Sequence, residues 1–221
     1  VEVVVPFSPI DPKSRLSSVL SPAERREFAF VMLADVLDAL ERTRGVPTPT
    51  VLSTAELDRA GNASTEVIDH AVDVPVEVDD RALTPAVNDV LASTEDAVAV
   101  VMADLALATP TALGRLFASD ADVVLAPGRR VGTNALVARH PDFRVDYHGA
   151  SFVDHRDAAT AVGATVSVVD SNRLATDVDE PEDLAEVLAH GAGAAADWLR
   201  DRGFALGERA DGSVHAVRHD T

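Results

Sequence analysis

The first apolar stretch, Val1 to Pro6, is β-branched and ends at a proline, which predicts a buried strand feeding a loop. That loop, Phe7 to Ser21, carries prolines at positions 9 and 12. A helix is then announced by Ser21 as N-cap, Pro22 in the first turn and Glu24 as the acid of a capping box. Phe28, Val31, Met32, Val36, Ala39 and Leu40 recur at helical spacing and predict one buried face up to about Arg44, where Gly45 and Pro47 stop it. Thr50 to Ser53 and Ala71 to Val78 read as strands, and Thr84 to Ser93 as a helix with Pro85 in its first turn. Ala97 to Ala103 is continuously apolar and meets an acid at Asp104, the profile of a central strand covered on both faces.

Downstream, helices are expected over Pro110 to Ser119, Val153 to Val162 and Pro181 to Ala189, and strands over Asp122 to Ala126, Asn134 to Ala138 and Thr165 to Val169. Trp198 and Leu199 look like anchors of a last helix, and Gly203 to His219 like a hairpin turning at Ala210-Asp211-Gly212. Strand and helix alternate throughout, so the expected class is α/β, three layers around a mostly parallel sheet, with its site at the strand C-terminal edges. The 221 residues suit one domain, residues 1–221, with 190–221 as a C-terminal appendage.

Charge sharpens the picture. Nineteen basic residues against 37 acidic ones leave a net charge of -18, and Lys13 is the single lysine. Acids spread over the whole length, with almost no lysine, are the bias of proteins that stay hydrated in concentrated salt, and they disfavour a nucleic-acid or anionic-membrane partner. The absence of cysteine excludes disulfides, zinc thiolates, iron–sulfur clusters and thiol catalysis, and fits a reducing cytoplasm. No run approaches the ~20 apolar residues of a membrane helix.

Four segments could carry chemistry. Pro6-Phe7-Ser8 leaves the first strand, and the loop then presents Lys13 and Arg15, two cations close together where an α/β sheet receives phosphates. The plainer reading, a solvated loop, is weakened by the elimination of lysine everywhere else. Asp104, at the end of the apolar strand, stands where a magnesium ligand often does, or serves as a turn residue. Alternation around Val178 puts Asp177 and Asp179 on one face of an extended segment, suited to a hard divalent cation, while Pro181, Glu182 and Asp183 suit the first turn of a helix. Gly128 to Leu136 and Tyr147 to His155 combine glycines with Thr133, Asn134, Gly149 and Ser151, whose N–H groups and hydroxyls could hold a small phosphorylated acid. His148 and His155 stay open between acid–base and packing roles. Neither a Gly-x-Ser-x-Gly elbow nor a His-Glu-x-x-His helix is present.

Taken together, Lys13-Ser14-Arg15-Leu16-Ser17, Ser21-Pro22 with Arg25, Ala103-Asp104-Leu105, Gly132-Thr133-Asn134-Ala135-Leu136, Gly149 with Ser151-Phe152 and His155, and Asp177-Val178-Asp179 with Pro181-Glu182-Asp183-Leu184 make the chain resemble the 2-phospho-L-lactate guanylyltransferases of coenzyme F-420 biosynthesis. The resemblance runs from about Val3 to Leu188. It implies a nucleotidyltransferase fold of the glycosyltransferase-A type and transfer of GMP from GTP to 2-phospho-L-lactate. It further implies Mg2+ held by Asp104, Asp177 and Asp179, with acceptor binding at Thr133, Asn134, Gly149 and Ser151. The nucleotide is expected at Pro6, Phe7, Ser8, Lys13, Arg15, Ser53 and Thr84, with Lys13, Arg15 and Asp104 catalytic, in a homodimer. Phosphoenolpyruvate or another phosphorylated acid is the alternative acceptor, and a silent nucleotide-binding regulator the alternative class.

Overall fold

The computed structural model describes residues 1–57 and 74–219. Its central sheet contains, in chain order, β1 (Glu2–Phe7), β2 (Thr50–Ser53), β3 (Val76–Val78), β4 (Val98–Val101), β5 (Val123–Pro127), β6 (Thr133–Ala138) and β7 (Val166–Val168). Across the sheet the order is β3-β2-β1-β4-β6-β5-β7. The expected third strand is thus shorter, and residues 71–73 of it lie outside the described residues.

β6 runs antiparallel to both β4 and β5, while the remaining neighbours are parallel. Here the expected alternation of strand and helix fails. Residues 128–132 are too few for the crossover of a dozen or more residues that a parallel partner requires, so the chain turns straight back. The reversal has a consequence for the site. Thr133, at the start of β6, comes to the same sheet edge as the ends of β1 and β4, and Met102 N–H donates to Asn134 O at 3.0 Å.

Strand residues alternate between two cores. Val3, Val5, Val51, Ala99, Val101, Val124 and Val137 face α1 (Pro22–Glu41) and its neighbours, whereas Val4, Leu52, Val98, Val100, Leu125 and Leu136 face α2 (Leu83–Ser93) and the helix that follows β6. Three layers result. α1 starts as expected: Ser21 Oγ accepts the Glu24 N–H at 3.3 Å and Glu24 Oε2 accepts the Ser21 N–H at 2.9 Å. It is buried on two faces rather than the one expected. Leu33, Val36, Ala39 and Leu40 pack on the sheet, while Phe28, Val31 and Met32 belong to a third core.

That third core is built by the C-terminal residues. α3 (Pro110–Ala118) and α4 (Ser151–Ala161) flank the sheet, followed by α5 (Asn172–Ala175), α6 (Asp183–His190), α7 (Ala194–Asp201) and the hairpin β8 (Phe204–Glu208) with β9 (Val214–Arg218). Trp198 packs on Phe28 with ring centroids 4.9 Å apart, and the Arg202 guanidinium lies 3.8 Å over the indole. Asp35 of α1 accepts the Ala194 and Ala195 N–H groups at 2.7 and 2.9 Å and so caps α7 from a distance. Residues 190–219 therefore cover α1 as part of the same body.

Candidate active site

The loop after β1 is strained and is held in shape by a brace. Asp11 and Lys13 have φ of +41° and +55°, conformations that cost a non-glycine residue about 1 kcal/mol or more. Arg25, buried in α1, donates to Pro12 O at 3.0 Å and pairs with Asp11 at 2.9 Å. With the backbone fixed, Lys13 O accepts the Leu16 N–H at 2.9 Å, opening a 3-10 turn, and the lysine side chain points inward.

Its ammonium meets two carboxylates. Lys13 Nζ lies 2.6 Å from Asp104 Oδ2 and 2.8 Å from Asp179 Oδ1, and Arg15 Nη1 stands 3.3 Å from Asp179 Oδ2. Burial alone would lower the Lys13 pKa, but the Asp104 and Asp179 charges and hydrogen bonds hold it above the ordinary value. Asp104 is pushed upward by burial, against the pull of Lys13, with repulsion from Asp179 and Asp177 added. Its Oδ1 is buried without a hydrogen-bond partner. Val178 N–H donates to Asp104 O at 3.2 Å, which ties two segments far apart in sequence.

The Asp177–Asp179 segment is pinned by a residue whose role the sequence did not announce. Asp183 is fully buried and its Oδ2 accepts the Asp179 and Glu180 N–H groups at 3.0 and 2.8 Å. Arg129 and Arg130 reach Asp183 Oδ1 at 2.8 and 3.1 Å. Burial would raise the Asp183 pKa, but those N–H groups and Arg130 hold it below the usual carboxylate value. Asp183 reads in the sequence only as a helix-start acid, and α6 does begin there.

The hydroxyl end lies across β6. Ser151 Oγ, at the first residue of α4, accepts the Thr133 N–H at 3.0 Å, and His155 Nδ1 lies 2.9 Å from Thr133 Oγ1. The turn before β6 is strained at Val131, whose φ of +66° is exceptional for a β-branched residue. Asn134 Nδ2 donates to Leu174 O at 2.9 Å and to Asp177 Oδ1 at 3.2 Å, so its amide braces the acidic segment. Gly149, at φ +49°, is exposed and sets the approach to α4.

The expected residues thus fall into distinct groups. Pro6, Phe7, Ser8, Lys13, Arg15, Asp104 and Asp179 line one cavity of about 320 Å³. A second cavity, about 220 Å³ and mainly apolar, shares Pro6, Phe7 and Ser8 with it and extends to Leu52, Thr54 and Leu83. Ser53 and Thr84 line neither. Ser53 is buried with its hydroxyl donating to Ala55 O, and Thr84 Oγ1 accepts the Tyr147 N–H; their neighbours Thr54 and Leu83 face the space instead. Asp177 pairs with Asn134 and, at 3.9 Å, with Arg130 Nη1 rather than with Lys13, although it is near enough to repel the Asp104 charge. Among the described residues no three acidic or histidine side chains form a ready metal cage.

A family model described as "Guanylyl transferase CofC like" matches residues 1–218. The chain belongs to that family. It is 62% identical to the 2-phospho-L-lactate guanylyltransferase of Halomicrobium mukohataei over 99% of this chain and 100% of the relative. It is 59% identical to that of Haloarcula marismortui over 93% and 94% of the two chains. Both relatives come from halophilic archaea, in keeping with the acidic composition. Among solved structures, a nucleotidyl transferase from Methanothermobacter superposes with a TM-score of 0.60 at 17% identity, covering 90% of this chain and 98% of that one. A Desulfovibrio desulfuricans chain thought to be a nucleotide-diphospho-sugar transferase gives 0.70 at 14% identity over 90% and 94%. These two likenesses concern the fold, and it is that of nucleotidyltransferases.

Proposed function

We propose that this chain transfers the GMP unit of GTP to the phosphate of 2-phospho-L-lactate, releasing pyrophosphate. The observation that carries the reading is the placement, on one sheet edge, of a loop bearing Lys13 and Arg15 beside an apolar slot and, across β6, a pair of hydroxyls at a helix N-terminus. The slot suits a nucleobase, and Lys13 and Arg15 suit a triphosphate. Thr133, Ser151 and the positive end of α4 suit a small dianionic or trianionic acid. The relatives named for this activity support the choice of GTP and phospholactate over other pairs.

In the reaction an acceptor phosphate oxygen forms a bond to the α-phosphorus of GTP while the bond to the bridging oxygen of pyrophosphate breaks. The nucleophile is already anionic, so no general base is required. The chain's own part is positioning and charge neutralisation. Lys13 and Arg15 hold phosphate oxygens against the pull of water, the Arg25 brace keeps the strained loop from relaxing, and Asp183 with Asn134 fixes the opposing acids.

Mg2+ fits this donor set. Magnesium typically takes one or two carboxylates and fills the rest of its shell with water and substrate phosphates. Asp104 offers an orphaned buried Oδ1, and Asp179 stands beside it on the same lysine. Asp104 and Asp179 would hold the ion, which when bound would neutralise phosphate charge. Pyrophosphate release in molar KCl with Mg2+ and a panel of phosphorylated three-carbon acids tests the reading. 2-Phospho-L-lactate should give the highest kcat/KM; release independent of any acceptor would refute transfer.

A further inference from the structure

The three-residue chain of hydrogen bonds behind β6 has a polarity that the acceptor's chemistry makes meaningful. Thr133 and Ser151 are both nearly buried hydroxyl residues. Gly132 lies against them: a Cβ there would make ordinary van der Waals contact with Ser151 Oγ at 4.0 Å and Asn134 Oδ1 at 3.9 Å. Carboxylate and phosphate groups offer only acceptor oxygens, so a hydroxyl helps to bind them only if its own proton is free to be donated. Ser151 meets this condition, because its oxygen lone pair is engaged by the Thr133 N–H.

For Thr133 the condition depends on His155. If Thr133 Oγ1 donated to Nδ1, its proton would be spent and the neutral imidazole would carry its hydrogen on Nε2. Nε2 is buried, and the Asp146 carbonyl, the weakest of the influences on the ring, makes no hydrogen bond of regular geometry with it, so a hydrogen on Nε2 would be a poorly satisfied buried donor, the costlier of the two arrangements. With the hydrogen on Nδ1, the imidazole donates to Thr133 Oγ1 and only a lone pair is left unpartnered. We infer that His155 is a positioning residue of the acceptor site, donating Nδ1–H to Thr133 Oγ1 so that Thr133 and Ser151 together present two hydroxyl protons to the anionic acceptor.

The surroundings keep the ring neutral. Tyr147 and Phe143 meet it edge-on, with centroids 4.9 and 6.2 Å away. Burial drops its pKa to about 4, against weaker pulls from the Asp154 and Asp146 charges and the Asp146 carbonyl, so the ring is neutral at pH 7. The inference rests on the placement of the acceptor at Thr133 and Ser151.

Two measurements test it. In wild-type protein labelled with ¹⁵N in the histidine rings, in molar KCl at neutral pH, the His155 signal, assigned by its loss in His155→Asn, should show a protonated Nδ1 and a bare Nε2. The reverse tautomer overturns the inference. In steady-state kinetics, His155→Asn, whose amide N–H can replace Nδ1–H, should keep the KM for 2-phospho-L-lactate within about threefold, whereas His155→Leu should raise it about tenfold or more with the KM for GTP within about threefold. Equal damage from both variants, or damage shared between the two substrates, overturns it. If His155→Leu does not fold, the tautomer and His155→Asn decide. Thr133→Val and Ser151→Ala separate the two readings. An acceptor KM unmoved by either sinks the acceptor placement itself, while a rise in these two with the Nε2–H tautomer in the wild type sinks only the role of His155.

Discussion

At the scale of single residues, the site depends on charges that cannot all be satisfied by one another. Lys13 is shared between Asp104 and Asp179, and Asp104 still keeps an unpartnered oxygen. Lys13→Ala should therefore act twice. It should lower kcat/KM at least about tenfold by removing the cation proposed to bind phosphate, and it should destabilise the metal-free protein by about 1–2 kcal/mol by leaving two neighbouring carboxylates without their common partner. Kinetics and thermal melts in EDTA check the two halves; wild-type values in both would make Lys13 a bystander. His155 gives the pH dependence. Its folded pKa of about 4 lies below the unfolded value near 6.5, so the stability it contributes is complete above pH 6.5 and is lost as pH falls towards 4. The wild type should lose up to about 3 kcal/mol relative to His155→Asn over that window, read from melts at each pH.

At the scale of elements, the site is an assembly of loops that secondary structure aims at one edge. The acids of 177–179 have no sheet of their own; Asp183 at the head of α6 and the Val178 bond to Asp104 place them. Asp183→Asn retains an acceptor oxygen but removes the charge that Arg129 and Arg130 meet. It should cost about 2–4 kcal/mol of stability and lower kcat without a selective rise in either KM, as melts and kinetics would show. A kcat equal to that of the wild type would mean that the segment is held by other contacts. What was legible in the sequence at this scale was whatever depends on near neighbours. Ser21, Pro22 and Glu24 fix the start of α1 within one turn, and the apolar run into Asp104 reveals a strand covered on both faces. The reversal of β6 was implicit in the short 128–132 turn, but the regular alternation elsewhere masked it. Asp183, the Arg25 brace and the second buried face of α1 went unread, because each depends on a partner segment far along the chain. Trp198 was visible as an anchor, yet nothing local says that it would anchor onto Phe28.

At the scale of the whole molecule, the charge of -18 and the covered α1 meet in one expectation. At low ionic strength the acids repel across the surface, and in molar KCl a Debye length of about 3 Å quenches that repulsion. The melting temperature should rise steeply between low and molar KCl; a curve flat in salt would contradict the reading of the composition. The fold and the place of the Lys13 loop at a strand end were legible in the sequence because these motifs sit where strands stop, whereas the lining of the second, apolar cavity was not, since Thr54 and Leu83 face it in place of the adjacent Ser53 and Thr84. The most direct test of the account is the mass of the product. Wild-type protein in molar KCl with Mg2+, GTP and ATP in equal amounts and an equimolar mixture of 2-phospho-L-lactate and phosphoenolpyruvate should yield, by mass spectrometry, predominantly the guanosine diphosphate ester of lactate with one pyrophosphate per ester. A product carrying adenosine, or pyrophosphate appearing with no nucleotide ester of either acid, would contradict it.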